Sequence, residues 1–155
     1  MGHIGVRFRA PGDENTMVSI LQLLEFVDIE TYMWQVTNHE IYIIKDDGFV
    51  GTDGLFGDRS SVYSGKEIEL ELTGKKYYAI SISLRGFPKH VDKNEIENFY
   101  LKDIFDFPQM SCELILNLVD NDYLFFLCKD ETLLDVARNH FKNIGCYDIT
   151  YITST

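Results

Sequence analysis

The sequence is short of cysteine, proline and positive charge, and each shortage excludes a class of protein. It contains three cysteines, Cys112, Cys128 and Cys146, whose odd number and scattered positions argue against a disulfide framework. We therefore expect reduced thiols that pack in the core as small hydrophobic side chains. With only 3 prolines and 45% hydrophobic residues, the composition is that of a folded domain and not of a disordered chain.

Long hydrophobic runs are also missing. No apolar stretch approaches the roughly 18 residues that a membrane span needs, since even the run at 112–118 is interrupted by Glu113 and Asn117. The first residues do not form the apolar core of a signal peptide, because His3 and two arginines interrupt them. We therefore expect a cytoplasmic protein that does not associate with membranes.

Positive charge is scarce, with 14 Lys and Arg against 25 Asp and Glu, which gives a formal net charge of −11. The average electric field around such a chain repels phosphate, so binding to nucleic acid is disfavoured. The same field attracts a basic protein and speeds its association, although solubility alone is enough to explain an acidic surface. The composition leaves both interpretations open.

Hydrophobic periodicity divides the chain into strands and helices. Alternating or β-rich runs predict strands at 4–9, 32–37, 40–45, 77–87, 112–120, 123–129 and 147–153. Two hairpins are expected, one turning at Asn38-His39 and one at Asn121-Asp122. In the second hairpin, a two-residue loop places Leu116 opposite Leu127 and Cys128 opposite Ile115.

Helical spacing is present in three segments and ambiguous in a fourth. It predicts helices at 16–28 with Asn15 or Thr16 as N-cap, at 94–102, and at 132–144 with Thr132 as N-cap and Gly145 as C-cap. Residues 64–73 fit a helix with a Ser64 and Glu67 capping box, or a strand in which glutamates alternate with apolar residues. Residues 46–61 carry four glycines without any period, which is typical of a surface loop.

The order of these elements indicates a single domain, 1–155, of the α+β class. Helices that alternate with hairpins predict a mixed, largely antiparallel sheet with the helices mainly on one face.

Several short segments carry a resemblance to a known family. They are residues 5–8 (Gly-Val-Arg-Phe), 26–29 followed by Trp34, 77–78 leading to 86–88 (Gly-Phe-Pro), 111–113 with Asp120 and Tyr123, 128–130 (Cys-Lys-Asp), and 145–153. This arrangement is similar to a family of small bacterial proteins known as domain of unknown function 2691. Membership implies a bacterial cytoplasmic setting and no assigned activity, and it supplies no catalytic residues to carry over.

One group of polar side chains is a candidate binding surface. Ser81, Ser83 and Arg85 alternate along the strand at 77–87, and they are expected to share a sheet face with four residues of neighbouring strands, namely Arg7, Arg9, Gln35 and Thr37. This would form a local basic patch in which paired arginines bind a carboxylate. The alternative is a solvated outer face of the sheet.

Two functions remain open on these residues. The first is a non-enzymatic binding or regulatory protein, such as an acidic immunity-like partner of a basic protein, that uses the exposed aromatics Tyr32, Trp34 and Phe56. The second is a small enzyme with a pocket near His39, His90 and Asp92. The histidines lack the spacing of zinc ligands, and the glycines lack the Gly-Lys-Ser/Thr ending of a phosphate-binding loop. We therefore expect no metal and no cofactor, and the sequence pattern identifies no catalytic residue.

Overall fold

The fold is built on one large antiparallel sheet. The computed structural model describes residues 2–11, 19–45, 48–49, 56, 61–74, 76–120 and 122–154. The strands are β1 (His3–Arg9), β2 (Tyr32–Lys45), β3 (Gly48–Phe49), β4 (Val62–Ser64), β5 (Tyr77–Pro88), β6 (Leu114–Val119), β7 (Tyr123–Cys128) and β8 (Tyr147–Thr153). Their order is β3-β2-β5-β6-β7-β1-β8, and β4 also pairs with β2. The predicted α+β class is confirmed, and the strand pairs in the described residues are antiparallel.

The first predicted hairpin is wrong, because residues 32–45 form the single long strand β2. β5 pairs with both halves of this strand, from Tyr32 opposite Pro88 to Ile43 opposite Tyr77. The register shifts between Thr37 and Glu40, so Asn38-His39 is a bulge and not a turn. Pairing with one continuous partner strand outweighs the local turn preference of Asn38.

The second hairpin, β6–β7, is present with a different register. Val119 pairs with Tyr123, so the loop spans 120–122 and is one residue longer than predicted. Asp120 has a positive φ of 51°, a conformation that Asp tolerates in tight turns. The expected facing pairs are therefore wrong, since Leu116 faces Phe126 and Cys128 faces Leu114. Asn121 lies outside the described residues.

A second bulge changes which residues of β5 face the core. Ser81 pairs with Glu40 and Ala79 with Ile41, so Ile80 has no facing residue on β2. Tyr77 and Ala79 before the bulge, and Ile82 and Leu84 after it, belong to the same hydrophobic cluster. Regular alternation along the strand at 77–87 predicts that residues 78 and 80 share an apolar face with residues 82 and 84, and this prediction is wrong before the bulge.

The helices are short except for the last one. They are α1 (Ile20–Leu23), α2 (Gly65–Leu72), α3 (Lys93–Glu97) and α4 (Glu131–Asn143), with 3-10 turns at Ile29–Thr31 and Ile104–Gln109. Residues 12–18, which include the predicted caps Asn15 and Thr16, lie outside the described part, and Ser19 is the N-cap of α1. Segment 64–73 is helical, because the Ser64 and Glu67 capping box forms.

Helix α4 agrees with its prediction apart from the N-terminal cap. Asp130, and not Thr132, is the N-cap, and its carboxylate accepts hydrogen bonds from the amides of Thr132 and Leu133. A carboxylate is favoured there because it also compensates the positive end of the helix dipole. Gly145 has a φ of 96°, as expected for a left-handed residue that ends a helix.

Among the described residues, the buried side chains form two hydrophobic clusters on opposite faces of the sheet. The first contains Leu84, Leu116 and Phe126, and α1, α2 and α4 contribute to it. The second contains Ile115 and Leu127, and it receives side chains from α3 and the 104–109 turn. Adjacent residues of a strand point to opposite faces, so β6 and β7 are buried on both sides.

Among the described residues, no helix combines the length and the apolar character that crossing a membrane requires. Most of the glycine-rich stretch 46–61 lies outside the described part, so the prediction of a loop there stays a prediction.

Candidate functional site

Four polar side chains meet on one sheet face where β2 and β5 run side by side. Gln35 pairs with Arg85, and Thr37 pairs with Ser83. Directly paired residues lie on the same face, and residues two apart on a strand share it, so all four side chains are neighbours. Gln35, Thr37, Ser83 and Arg85 are called the polar cluster below.

Gln35 connects this cluster to the segment that follows α3. Its side chain is 2% exposed, and its Oε1 accepts a hydrogen bond of 2.9 Å from Nη1 of Arg85. Its Nε2 donates to the carbonyl oxygens of Phe99 at 3.2 Å and Glu97 at 3.4 Å. Because the buried amide of Gln35 uses both its donor and its acceptor in hydrogen bonds, it holds the segment 97–99 against the sheet.

Arg85 is half-buried and has no carboxylate partner among the described residues. Its guanidinium carbon lies 5.4 Å from the centre of the Phe99 ring, a cation–π contact. Burial lowers the pKa of Arg85, because removal from water disfavours the charged form. The ion pair that the structure does record in the described ranges joins Arg9 to Asp122 at 2.6 Å, away from this cluster.

Three buried polar atoms of the cluster have no hydrogen-bond partner in the described part of the chain: Oγ1 of Thr37, Oγ of Ser83 and Nε of Arg85. Ser83 is only 1% exposed. Buried polar groups are nearly always paired in folded proteins, and leaving one unpaired costs about 1–3 kcal/mol. Three such atoms on one sheet face therefore make this place a candidate binding site.

The predicted basic patch is only partly correct. Arg7 pairs with Phe125, which pairs with Asn117, which pairs with Ser83, so these residues occupy one row on one face. However, β6 and β7 lie between β1 and β5, which separates Arg7 from Ser83 by about 14 Å at the usual strand spacing. Arg9 is engaged with Asp122. The two arginines of β1 therefore do not join Arg85 in a continuous basic patch, because sequence pattern alone does not give strand order.

Trp34 is not an exposed binding residue. It is 0% exposed, and its Nε1 donates a 2.9 Å hydrogen bond to the carbonyl of Ile29. Trp34 pairs with Gly86, and a Cβ on that glycine would lie 3.3 Å from the indole, so the missing side chain makes room for the ring. Phe56 is also buried, at 1% exposed, and Tyr32 is half-buried. The prediction that these three aromatics form a contact surface is wrong.

The structure does not bring His39, His90 and Asp92 together. All three are exposed, and Asp92 caps α3 by accepting from the amide of Asn94. Tyr32 faces Pro88, and the stretch of β2 from Tyr32 to His39 spans roughly 23 Å, so His39 is far from the turn that carries His90. These three described residues therefore form no histidine and carboxylate pair for general-base catalysis, contrary to the enzyme hypothesis.

A groove lies beside Phe99. It has a volume of 570 Å³ and is lined by Asn94, Glu95, Asn98, Phe99, Tyr100, Gln109, Met110 and Ser111. Two aromatic side chains of the surrounding segment are exposed, Tyr100 at 72% and Phe105 at 42%. We call the segment 92–111 with this cavity the acidic groove, since its exposed carboxylates are Asp92, Glu95, Glu97, Asp103 and Asp106.

Sequence reasoning overlooked the acidic groove. The sequence predicts a short acidic helix at 94–102, and α3 occupies part of that range at Lys93–Glu97. The available signal was the pair of aromatics at 100 and 105 within a run of acids, and in the structure both lie beyond the end of α3. Without a helix or strand to bury them, such aromatics are candidates for exposure.

Two smaller cavities are weaker candidates for a binding site. One of 320 Å³ lies where β1, β7 and β8 meet the start of α4, and its Lys129 donates to the carbonyl of Met110. The other, of 260 Å³, is lined by residues of α4, of β8 and of the connection between them, including Arg138 and Cys146. Within the described residues, no group of three His, Cys, Asp or Glu side chains is placed to hold a metal ion.

Comparison with known proteins agrees with the resemblance noted in the sequence. The uncharacterized protein YncE of Bacillus subtilis (strain 168) is 26% identical over 149 residues, which covers 96% of this chain and 91% of that protein. No solved structure matches the chain. The model of a protein family of unknown function, DUF2691, matches residues 3–155. Because that match spans nearly the whole chain, this protein belongs to the DUF2691 family.

Proposed function

We propose that this protein is a non-enzymatic, cytoplasmic binding protein whose acidic groove docks a basic segment of another protein, in an immunity-like or regulatory role. The observation that carries the proposal is the 72% exposure of Tyr100 beside a 570 Å³ groove. The proposal also takes α1, α2 and α4 as the main cover of one sheet face, with α3 and the 104–109 turn, which border the acidic groove, on the other.

Exposed aromatics supply the apolar part of the contact. Tyr100 and Phe105 both belong to the short connection between α3 and β6, with Met110 in the groove wall. Aromatic side chains and methionine are enriched at the centres of protein interfaces, where they bury much area at a low entropy cost. Their exposure in the unbound protein is a cost that a docked partner would remove.

Charge selects the partner. Residues 92–106 contain five carboxylates and two lysines, Lys93 and Lys102, and all five carboxylates are exposed. Together with the net charge of −11, this local excess attracts a basic segment and repels an acidic one. Association that depends on such charges is fast at low salt and weakens as salt screens it.

The groove is held in shape before any partner arrives. Gln35 fixes the carbonyls of Glu97 and Phe99, and Arg85 packs on the Phe99 ring. Asp103 caps the turn at 104–109 through a 2.9 Å bond to the amide of Phe105. A preorganised surface loses less entropy on binding, so the same contacts yield more affinity.

A displayed library of random peptides tests this function directly on the whole protein. We expect the selected peptides to be rich in Lys and Arg with at least one apolar residue, and their binding to weaken as salt is raised. Tyr100→Ala should remove most of the binding. Leu70→Ala is the matched control, because Leu70 is 66% exposed on α2, outside the groove.

Three outcomes would overturn the proposal. They are a selection without enriched peptides, enriched peptides without an excess of basic residues, and enriched peptides that bind the Tyr100→Ala and Leu70→Ala proteins equally well.

A further inference from the structure

The polar cluster has donors without acceptors. Ser83 is 1% exposed, and its hydroxyl, the hydroxyl of Thr37 and Nε of Arg85 find no partner among the residues that the structure describes. Each of these groups is able to donate a hydrogen bond, and Nε–H of arginine has no other capacity. An acceptor that reaches all three would remove the cost of leaving them unpaired.

The spacing of the three donors fits one small acceptor group. Thr37 and Ser83 face each other across β2 and β5, a relation that places their Cβ atoms about 4.5–5.5 Å apart. Arg85 is two residues further along β5 on the same face, about 7 Å from Ser83 along the strand. Its long side chain is able to span that distance, so the three donors, all shielded from solvent, belong to one small area of the same sheet face.

Because the charge of Arg85 has no counterion in the described part of the chain, an anion fits the polar cluster better than a water molecule does. Nη1 of Arg85 donates to the uncharged Oε1 of Gln35, and no carboxylate among the described residues pairs with the guanidinium. A water molecule satisfies the two hydroxyls but leaves a half-buried cation without a counterion, which is costly. An anion supplies both the acceptors and the charge.

The geometry of the free edge of the guanidinium selects the kind of anion. Nε–H and the adjacent Nη2–H of arginine point in the same direction and match the two oxygens of a carboxylate in a bidentate pair. The rest of a small molecule would then extend along the row that contains Asn117, a half-buried residue opposite Ser83 on β6.

We propose that the polar cluster binds the carboxylate of a small organic acid, with Arg85 as the charged donor and with Ser83 and Thr37 as hydroxyl donors. Phe99 contacts Arg85 and also lines the acidic groove, but none of the four side chains of the polar cluster lines that groove, so the two sites are distinct. Its ligand is an anion, whereas the ligand of the groove is a cation, so the two proposals fail independently.

Acetate titration at constant ionic strength tests the site, with chloride as the reference anion and the NMR signal of the Arg85 Nε–H group as the readout. We expect that signal to shift and saturate with acetate. Ser83→Ala should weaken acetate binding about tenfold, the loss expected for one hydrogen bond to a charged group. Arg7→Lys is the control, because Arg7 lies on the same face but is exposed and separated from β5 by two intervening strands.

A non-saturating shift, or equal acetate affinity in the Ser83→Ala and parent proteins, would overturn the proposal. If water alone occupies the cluster, Ser83→Ala instead raises the thermal midpoint without any dependence on acetate. Thr37→Val provides a second variant that, like Ser83→Ala, retains the charge of Arg85. The test therefore does not require any substitution of Arg85 itself.

Discussion

At the scale of single residues, burial decides what the three cysteines can do. Cys112, Cys128 and Cys146 are free and buried, as the sequence predicted. Burial raises the pKa of Cys112 to about 12 and the pKa values of Cys128 and Cys146 to about 11. Because the thiolate is the reactive form, these side chains are structural groups and poor nucleophiles.

The raised pKa of Cys112 predicts a loss of stability in alkali. Below its ordinary pKa of 9.0 the thiol is protonated in both the folded and the unfolded protein. As the pH rises above 9, the unfolded chain loses this proton while the folded chain keeps it up to about 12, so the free energy of unfolding falls. Urea titrations from below pH 9 to about pH 11 measure this slope.

Cys112→Ala should make the alkaline slope shallower, because one group that titrates differently in the two states is gone. Tyr77 retains a raised pKa through burial, so some slope should remain. An identical slope in the variant and the parent would show that the Cys112 thiol ionises equally in both states.

At the scale of elements, the β6–β7 hairpin is the centre of the core. Leu116 is 0% exposed and lies between Leu84 of β5 and Phe126 of β7. Leu116→Ala removes packed methyl groups and leaves a cavity, so we expect a loss of about 2–5 kcal/mol in the free energy of unfolding. Val119→Ala at the exposed end of β6 should change it by no more than about 0.5 kcal/mol. A Leu116→Ala protein as stable as the parent in urea would refute this position for the hairpin.

The start of α2 is fixed by close backbone contact with the turn at 29–31. A Cβ on Gly65 would lie 2.2 Å from the carbonyl oxygen of Ile29, the same oxygen that accepts from the Trp34 indole. Gly65→Ala should therefore push this carbonyl away, at a cost of about 1–3 kcal/mol, and alter the fluorescence of the protein's single tryptophan.

Gly74→Ala is the control for Gly65→Ala. Gly74 has a φ of 76°, and no described atom lies within 4 Å of the position that a Cβ would take, so its substitution strains the backbone without any clash. We expect the tryptophan emission of Gly74→Ala to match the parent. A parental emission spectrum in Gly65→Ala as well would mean that the Ile29 carbonyl stays in place.

At the scale of the whole molecule, the net charge of −11 governs encounters with other macromolecules. Arg7 and Arg9 are separated from Arg85 by β6 and β7, so they add no continuous basic stripe to this acidic surface. We therefore expect no submicromolar, salt-sensitive affinity for duplex DNA or RNA in a gel-shift titration. Tight binding that weakens steeply with salt would contradict this electrostatic argument.

The sequence by itself determined the features that depend on local interactions. The last helix, its glycine C-cap and the strand at Tyr147–Thr153 follow from periodicity and from hydrogen bonds between residues close in the chain, whereas segment 64–73 was left open between a helix and a strand. Composition also gave the acidic net charge, the order of the predicted elements gave the α+β class, and several short segments carried the resemblance to the family.

Only the tertiary structure decided which residues meet. Strand order separates Arg7 from Arg85, and pairing with β5 turns the Asn38-His39 turn signal into a bulge. The burial of Trp34 depends on Gly86 in a strand far along the chain, and the unpaired hydroxyl of Ser83 depends on its neighbours on β2. These features arise from contacts between distant segments, and a linear pattern of hydrophobic and polar residues carries no information on which segments pair.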